Sequence, residues 1–248
     1  MKLVIAFVVV VTACKQDDKP QPAPVPSRSA PAAAATADAA QAAAAAPQPC
    51  PTGPALKDAL AKALAIEADD ITEISCNEIA TPKQLWAIDA ITAPGMYVGT
   101  LALLDARDGN LVSKQSTGES DRGLAKATIT IADLDGDGVQ ELLRSATVGA
   151  NGFANETLYV FAVRSDKLVE VGKLPVRSEN TGAVAIKMAK PKEHYECQSA
   201  MKVIDGAPGK KQIEIVGEKY TGKPPGAECP PIGRRSYAFD GKVLKPAK

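Results

Sequence analysis

Thr128-Ile129-Thr130-Ile131-Ala132-Asp133-Leu134-Asp135-Gly136-Asp137-Gly138-Val139-Gln140-Glu141-Leu142-Leu143 is the stretch on which the reading of this 248-residue chain turns. Residues 128–131 alternate hydroxyl and aliphatic side chains, the period-2 pattern of a strand with one buried face. Leu142-Leu143 resumes as a second apolar strand. Between them, carboxylates fall at the first, third, fifth and ninth positions of a nine-residue loop, and Gly138 permits the tight bend that gathers them round one point. A strand on either side of such a loop predicts a β environment.

Neighbouring aspartates repel one another unless a cation lies among them. Calcium takes about six to eight oxygens at roughly 2.3–2.6 Å, which alternating carboxylates and a main-chain carbonyl can provide. With 16 Asp, 13 Glu and 19 Gly in the chain, the pattern D-x-D-x-D-G-x-x-[DE] arises by accident on the order of once in a thousand such sequences. An EF-hand would need a bidentate acid at position twelve and flanking helices. Position twelve is Arg144 and the flanks read as strands. The stretch instead resembles the strand-loop-strand calcium site of FG-GAP and VCBS-type repeats, over roughly residues 127–171. The resemblance implies side-chain ligands at Asp133, Asp135, Asp137 and Glu141, a carbonyl ligand at Val139, and a propeller-blade-like setting. The sequence departs from the family in having Glu141 where Asp is commoner, Arg144-Ser145-Ala146 in place of Gly-Ala-Pro, and a single copy of the loop. The expected role of calcium is a staple for a tight strand connection, with sensing or calcium-bridged adhesion as alternatives.

Working outward, strands are predicted over 85–91, 97–104, 127–131, 142–148, 158–163, 213–216 and 237–239, with a short one at 71–74. Asp108-Gly109-Asn110, Ser165-Asp166 and Asp240-Gly241 each separate an apolar strand from a short return strand, as hairpin turns do. The three hairpins look alike. Their unequal spacings, 57 and 76 residues from Leu111 to Leu168 to Leu244, favour ordinary hairpin chemistry over a degenerate repeat. Pro54 followed by Leu56, Leu60 and Leu64 predicts one short amphipathic helix near the start of the folded part. The fold expected is mainly β, an antiparallel meander of hairpins with a short N-terminal helix; the alternative is α+β.

The organisation expected is a signal peptide over 1–13, a lipidated cysteine and disordered tether over 14–49, and one domain over 50–248. Lys2 precedes an apolar run from residue 3 to residue 11, the layout of a secretory signal. That run is well short of the roughly 20 apolar residues a bilayer-crossing helix needs. Val11-Thr12-Ala13-Cys14 resembles the lipobox of bacterial lipoproteins, which implies cleavage before Cys14, thioether lipidation and palmitate-type acylation there. Membrane attachment through the lipid is the partner contact so implied. Lys15, by analogy, fits an outer-membrane or surface location over the inner membrane. Residues 15–49 hold 14 alanines and 7 prolines with almost nothing large to bury, so they read as a tether reaching on the order of 100 Å at about 3.1 Å per residue.

Setting Cys14 aside leaves Cys50, Cys76, Cys197 and Cys229, an even number in an exported chain and therefore two disulfides. Loop entropy favours Cys50 with Cys76 and Cys197 with Cys229 among the three pairings. Zinc is the competing reading, but no C-x-x-C spacing is present and the one histidine is His194.

Residues 50–248 carry 25 basic and 26 acidic side chains. Taken over the whole domain, no basic field exists to attract nucleic acid or anionic lipid. Catalytic motifs are equally scarce. Ser199-Ala200-Met201-Lys202 matches S-x-x-K, yet about one such match is expected from 11 serines and 21 lysines, and His194 sits in a charged, surface-like stretch. Residues 149–155, with Phe153 in a polar segment, and residues 222–231, proline-rich and held by Cys229, read as loops with recognition potential; Trp86 reads as core. The function expected is a lipid-anchored envelope binding or scaffold module of unknown envelope or extracellular partner, not an enzyme. An exported hydrolase and a calcium-dependent adhesin are the alternatives.

Overall fold

The computed structural model describes residues 48–81, 83–93, 97–120, 127–222 and 229–247. The signal peptide, Cys14 and nearly all of the tether lie outside the described residues. The rest is mainly β, as expected, with twelve antiparallel strands in two sheets and two short helices.

Helix α1 (Pro54–Leu64) starts on proline, whose fixed φ suits a first helical turn. It turns Leu56, Leu60 and Ala61 inward. It stops at Ala65, whose left-handed φ of 56° lets the N–H of Ile66 reach back to the Ala61 carbonyl (3.1 Å).

Strands β1 (Ile71–Ile79), β2 (Leu85–Thr92), β3 (Tyr97–Asp105) and β4 (Leu111–Ser120) form one four-stranded sheet in chain order. The second sheet is a run of two further meanders. The first comprises β5 (Thr128–Ala132), β6 (Glu141–Ala150), β7 (Phe153–Arg164) and β8 (Lys167–Glu179); the second comprises β9 (Glu196–Asp205), β10 (Lys211–Thr221), β11 (Arg234–Phe239) and β12 (Leu244–Pro246). β8 and β9 pair only from Arg177 to Glu179, opposite Gln198 to Glu196. Beyond that short seam the two meanders diverge and face each other across a common core.

The side chains stack in layers. Leu56 and Leu60 of α1 pack on Trp86, Ile88 and Ala90 of β2. The alternate residues of the same meander, Leu85, Ala87, Leu101 and Leu103, meet Leu142, Phe161 and Leu168 of the central meander. On the far face of that meander, Leu143, Leu158, Val160 and Val176 meet Ile213, Ile215 and Phe239 of the third. Strands covered on both faces must be apolar at consecutive positions rather than at alternate ones, which is why Leu85-Trp86-Ala87-Ile88 is a continuous run.

Several expectations are corrected. The three look-alike hairpins are β3–β4, β7–β8 and β11–β12, the third-to-fourth strand connection of each meander. Their likeness is therefore architectural. The unequal spacing comes chiefly from two longer connections, residues 180–195 between β8 and β9, which carry α2 (Thr181–Ala185), and residues 222–233 between β10 and β11. Two of the return strands are long, β4 with ten residues and β8 with thirteen. β9 is a strand the apolar pattern misses, because only one of its faces is buried. Residues 149–155 are no flexible loop: β6 runs to Ala150 and β7 starts at Phe153, leaving the turn Asn151-Gly152 with φ of 53° and 80°.

Candidate functional site

The acidic loop joins β5 to β6. Asp133 organises it: one carboxylate oxygen accepts the N–H of Gly136 (2.7 Å) and the other that of Gly138 (3.0 Å). Asp135 accepts from Asp137 N–H at 3.3 Å, and Asp137 from Val139 N–H at 2.7 Å. Gly136 and Gly138 both have left-handed φ, 77° and 87°. At Gly136 an added Cβ would lie 2.4 Å from the carbonyl oxygen of Gly209, so the β9–β10 turn presses directly on the loop. The Leu134 carbonyl accepts the Lys211 N–H (3.2 Å), fastening the loop to the third meander, and Leu134 itself is buried.

Carboxylate oxygens of Asp133, Asp135 and Glu141 lie within 4.8 Å of one another. Asp137 is not part of that group; its carboxylate is turned onto the Val139 N–H. Glu141, the first residue of β6, is 2% exposed. One of its oxygens accepts the Leu134 N–H at 2.8 Å. Burial pushes its carboxyl up to about 7; the Leu134 N–H opposes that shift, and Asp135, Asp137 and Asp133 add to it. Asp135 is raised too, first by burial and then by Asp137. No lysine or arginine ion-pairs with Glu141 among the described residues. The donor set is all oxygen and anionic, which suits a hard divalent cation and not zinc.

Three residues along β6 stands a group that sequence reasoning passed over. Arg144 is 1% exposed. Its Nε donates to Asp89 Oδ1 of β2 (2.5 Å) and its Nη1 to the Thr117 hydroxyl of β4, so it bridges the first and central meanders. Gly99 makes room for it: a Cβ there would sit 3.0 Å from Arg144 Nη2. Burial raises the Asp89 carboxyl, while Arg144 opposes the shift by charge and hydrogen bond. The available signal was Asp89 itself, a lone carboxylate inside an apolar strand.

Cys50 is bonded to Cys76 and Cys197 to Cys229, with Cα separations of 6.0 and 5.8 Å. The first ties the segment before α1 to β1. The second ties β9 to the far side of residues 223–228, which lie outside the described residues. Two disulfides place this part of the chain in an oxidising compartment, outside a reducing cytosol. Among the described residues no helix is long and apolar enough to cross a membrane.

Trp86 is buried, and its Nε1 donates to the Gln48 carbonyl (2.9 Å). Ser199 and Lys202 are three apart on a strand and so face opposite ways, which separates the hydroxyl from the amine. His194 is half-buried with its Nε2 3.3 Å from the Thr181 hydroxyl. A cavity of about 350 Å³ opens on β7 and β8, lined by Tyr159, Thr157, Lys173, Pro175 and Arg177. Comparison with family models, curated proteins and solved structures finds no match to this chain.

Proposed function

We propose that this is an exported, lipid-anchored envelope protein in which a calcium ion at Asp133–Glu141 fastens the central meander, and that the stacked meanders serve as a binding or scaffold module. The observation that carries the calcium reading is the convergence of the Asp133, Asp135 and Glu141 carboxylates, with Glu141 withdrawn from water and ion-paired by no lysine or arginine among the described residues. Bringing these acids together favours a cation at their centre or a proton on one of them. The lipobox-like Val11-Thr12-Ala13-Cys14 and the two disulfides support the address. The depression beside Tyr159 and Pro175 is open to solvent and suits a surface partner better than an enclosed small ligand.

Thermal unfolding with and without calcium tests this. At about a hundredfold excess over its dissociation constant, calcium adds ~2.7 kcal/mol, a rise of roughly 5–10 °C for a domain of this size. Asp135→Ala abolishes the rise. An unchanged midpoint at millimolar calcium would overturn the metal reading. Mass spectrometry of the mature protein from membranes is expected to show an acylated N-terminal Cys14, and an unmodified Cys14 would overturn the anchor.

A further inference from the structure

The excursion between the second and third meanders is the place where the regular architecture is interrupted, and it is built to a plan. Its two ends are pinned together. Asn180 and Tyr195 are both buried, with Asn180 N–H on the Tyr195 carbonyl (3.2 Å) and Tyr195 N–H on Asn180 Oδ1 (2.8 Å). Inside those pins, α2 is locked onto the β6–β7 turn: the Ala183 N–H donates to the Gly152 carbonyl (2.9 Å), and neither Gly152 nor Gly182 has room for a Cβ. Two residues past the end of α2 stands Lys187, a non-glycine residue at a left-handed φ of 62° that L side chains disfavour. The N–H groups of Met188 and Ala189 both close back on the Ala183 carbonyl, at 2.8 and 3.1 Å.

This rigid frame turns apolar side chains outward. Ile186 and Met188 are each 58% exposed, and Phe153, next to Gly152 in the turn that α2 grips, is 38% exposed. Lysines 187, 190 and 192 alternate with them along the chain; all three are exposed, and none ion-pairs among the described residues. Glu193 is the acid within the same turn, and its carboxylate is engaged by the Lys190 N–H (3.0 Å). Large apolar groups held in water on a well-fastened turn, among lysines without ion pairs, fit apolar tips that enter the acyl boundary while ammonium groups meet acidic headgroups.

We infer that the Ile186–Lys192 turn docks the domain onto an anionic lipid bilayer, an inference that rests on the envelope address proposed above. This contact needs neither acylation at Cys14 nor calcium, so its failure and the failure of the calcium reading are separable.

The test uses the full chain carrying Cys14→Ser, which removes the acylation site, sedimented with vesicles of phosphatidylcholine alone or mixed with phosphatidylglycerol. Binding is expected on the mixed vesicles and should weaken as salt rises. Each lysine changed to glutamine costs about fivefold, and the triple change at 187, 190 and 192 about 100-fold. Ile186→Ser with Met188→Ser also weakens binding, with no change in the melting temperature or its response to calcium. A local readout keeps the inference independent of the N-terminal segment: in Met188→Trp the fluorescence moves to the blue on mixed vesicles, against the constant background of buried Trp86. Equal binding to both vesicle types, no effect of the triple lysine change, or no blue shift would overturn the inference. So would capture of poly-glutamate as tight as vesicle binding and indifferent to Ile186 and Met188, which would assign the turn to an acidic protein partner.

Discussion

Glu141 and Arg144 stand three residues apart on β6, and each lies beside a carboxylate taken out of water. At Asp89 the cation is supplied by the chain: the Arg144 guanidinium reaches across from the central meander and Thr117 completes its shell. At Glu141 the chain supplies further acids, Asp133 and Asp135, and among the described residues no lysine or arginine ion-pairs with any of the three; the Lys210 charge only partly offsets the rise at Asp135. The first site is closed by folding alone. On the calcium reading proposed above, the second is closed when a cation arrives, and one strand would then carry a permanent joint between meanders and a conditional one.

The largest effect separating the two should come from Arg144→Met. It leaves Asp89 buried without a partner and should cost about 3–5 kcal/mol by denaturant unfolding, with or without calcium. Asp89→Asn in the same background should recover part of that loss.

Next in size is the calcium joint. Glu141→Gln should abolish the calcium-dependent gain, about 2.7 kcal/mol at a hundredfold excess over the dissociation constant. In the presence of chelator the same variant should be no less stable than the parent, because a repelled carboxylate has been neutralised. Opposite outcomes with and without calcium distinguish a metal site from an ordinary buried glutamate.

Gly136→Ala should cost roughly 1–3 kcal/mol. The new methyl group meets the Gly209 carbonyl at 2.4 Å and the backbone needs a left-handed φ. Gly138→Ala has the same φ problem and nothing within 4 Å, so it should cost less.

The smallest effect lies far from both joints. Arg107 holds the Asp105 carboxyl at about 2, below its ordinary 3.8, chiefly through a side-chain hydrogen bond. The stability this gives is present above about pH 4 and is lost as pH falls toward 2. Arg107→Ala should therefore raise the pH of acid unfolding slightly, and parent and variant should converge below pH 2.

What the sequence could announce follows from the layering. Strands covered on both faces are continuous apolar runs, so 85–91 and 158–163 stand out; β4 and β9, with one wet face each, hide among polar residues. Asn151-Gly152 was legible as a hairpin turn, and the glycines and asparagines around it masked it. The acidic loop announces itself because its ligands lie within nine residues. The Asp89–Arg144 joint spans 55 residues, and nothing local to either partner names the other. The excursion carrying α2 was equally silent, since Ile186 and Met188 have no apolar periodicity to reveal that they face outward.

The most direct test is a calorimetric calcium titration of the purified full chain beside Asp135→Asn and Asp89→Asn. One calcium per chain with submillimolar affinity is expected in the parent and in Asp89→Asn, and none in Asp135→Asn. No saturable heat in the parent, or equal binding by Asp135→Asn, would contradict it.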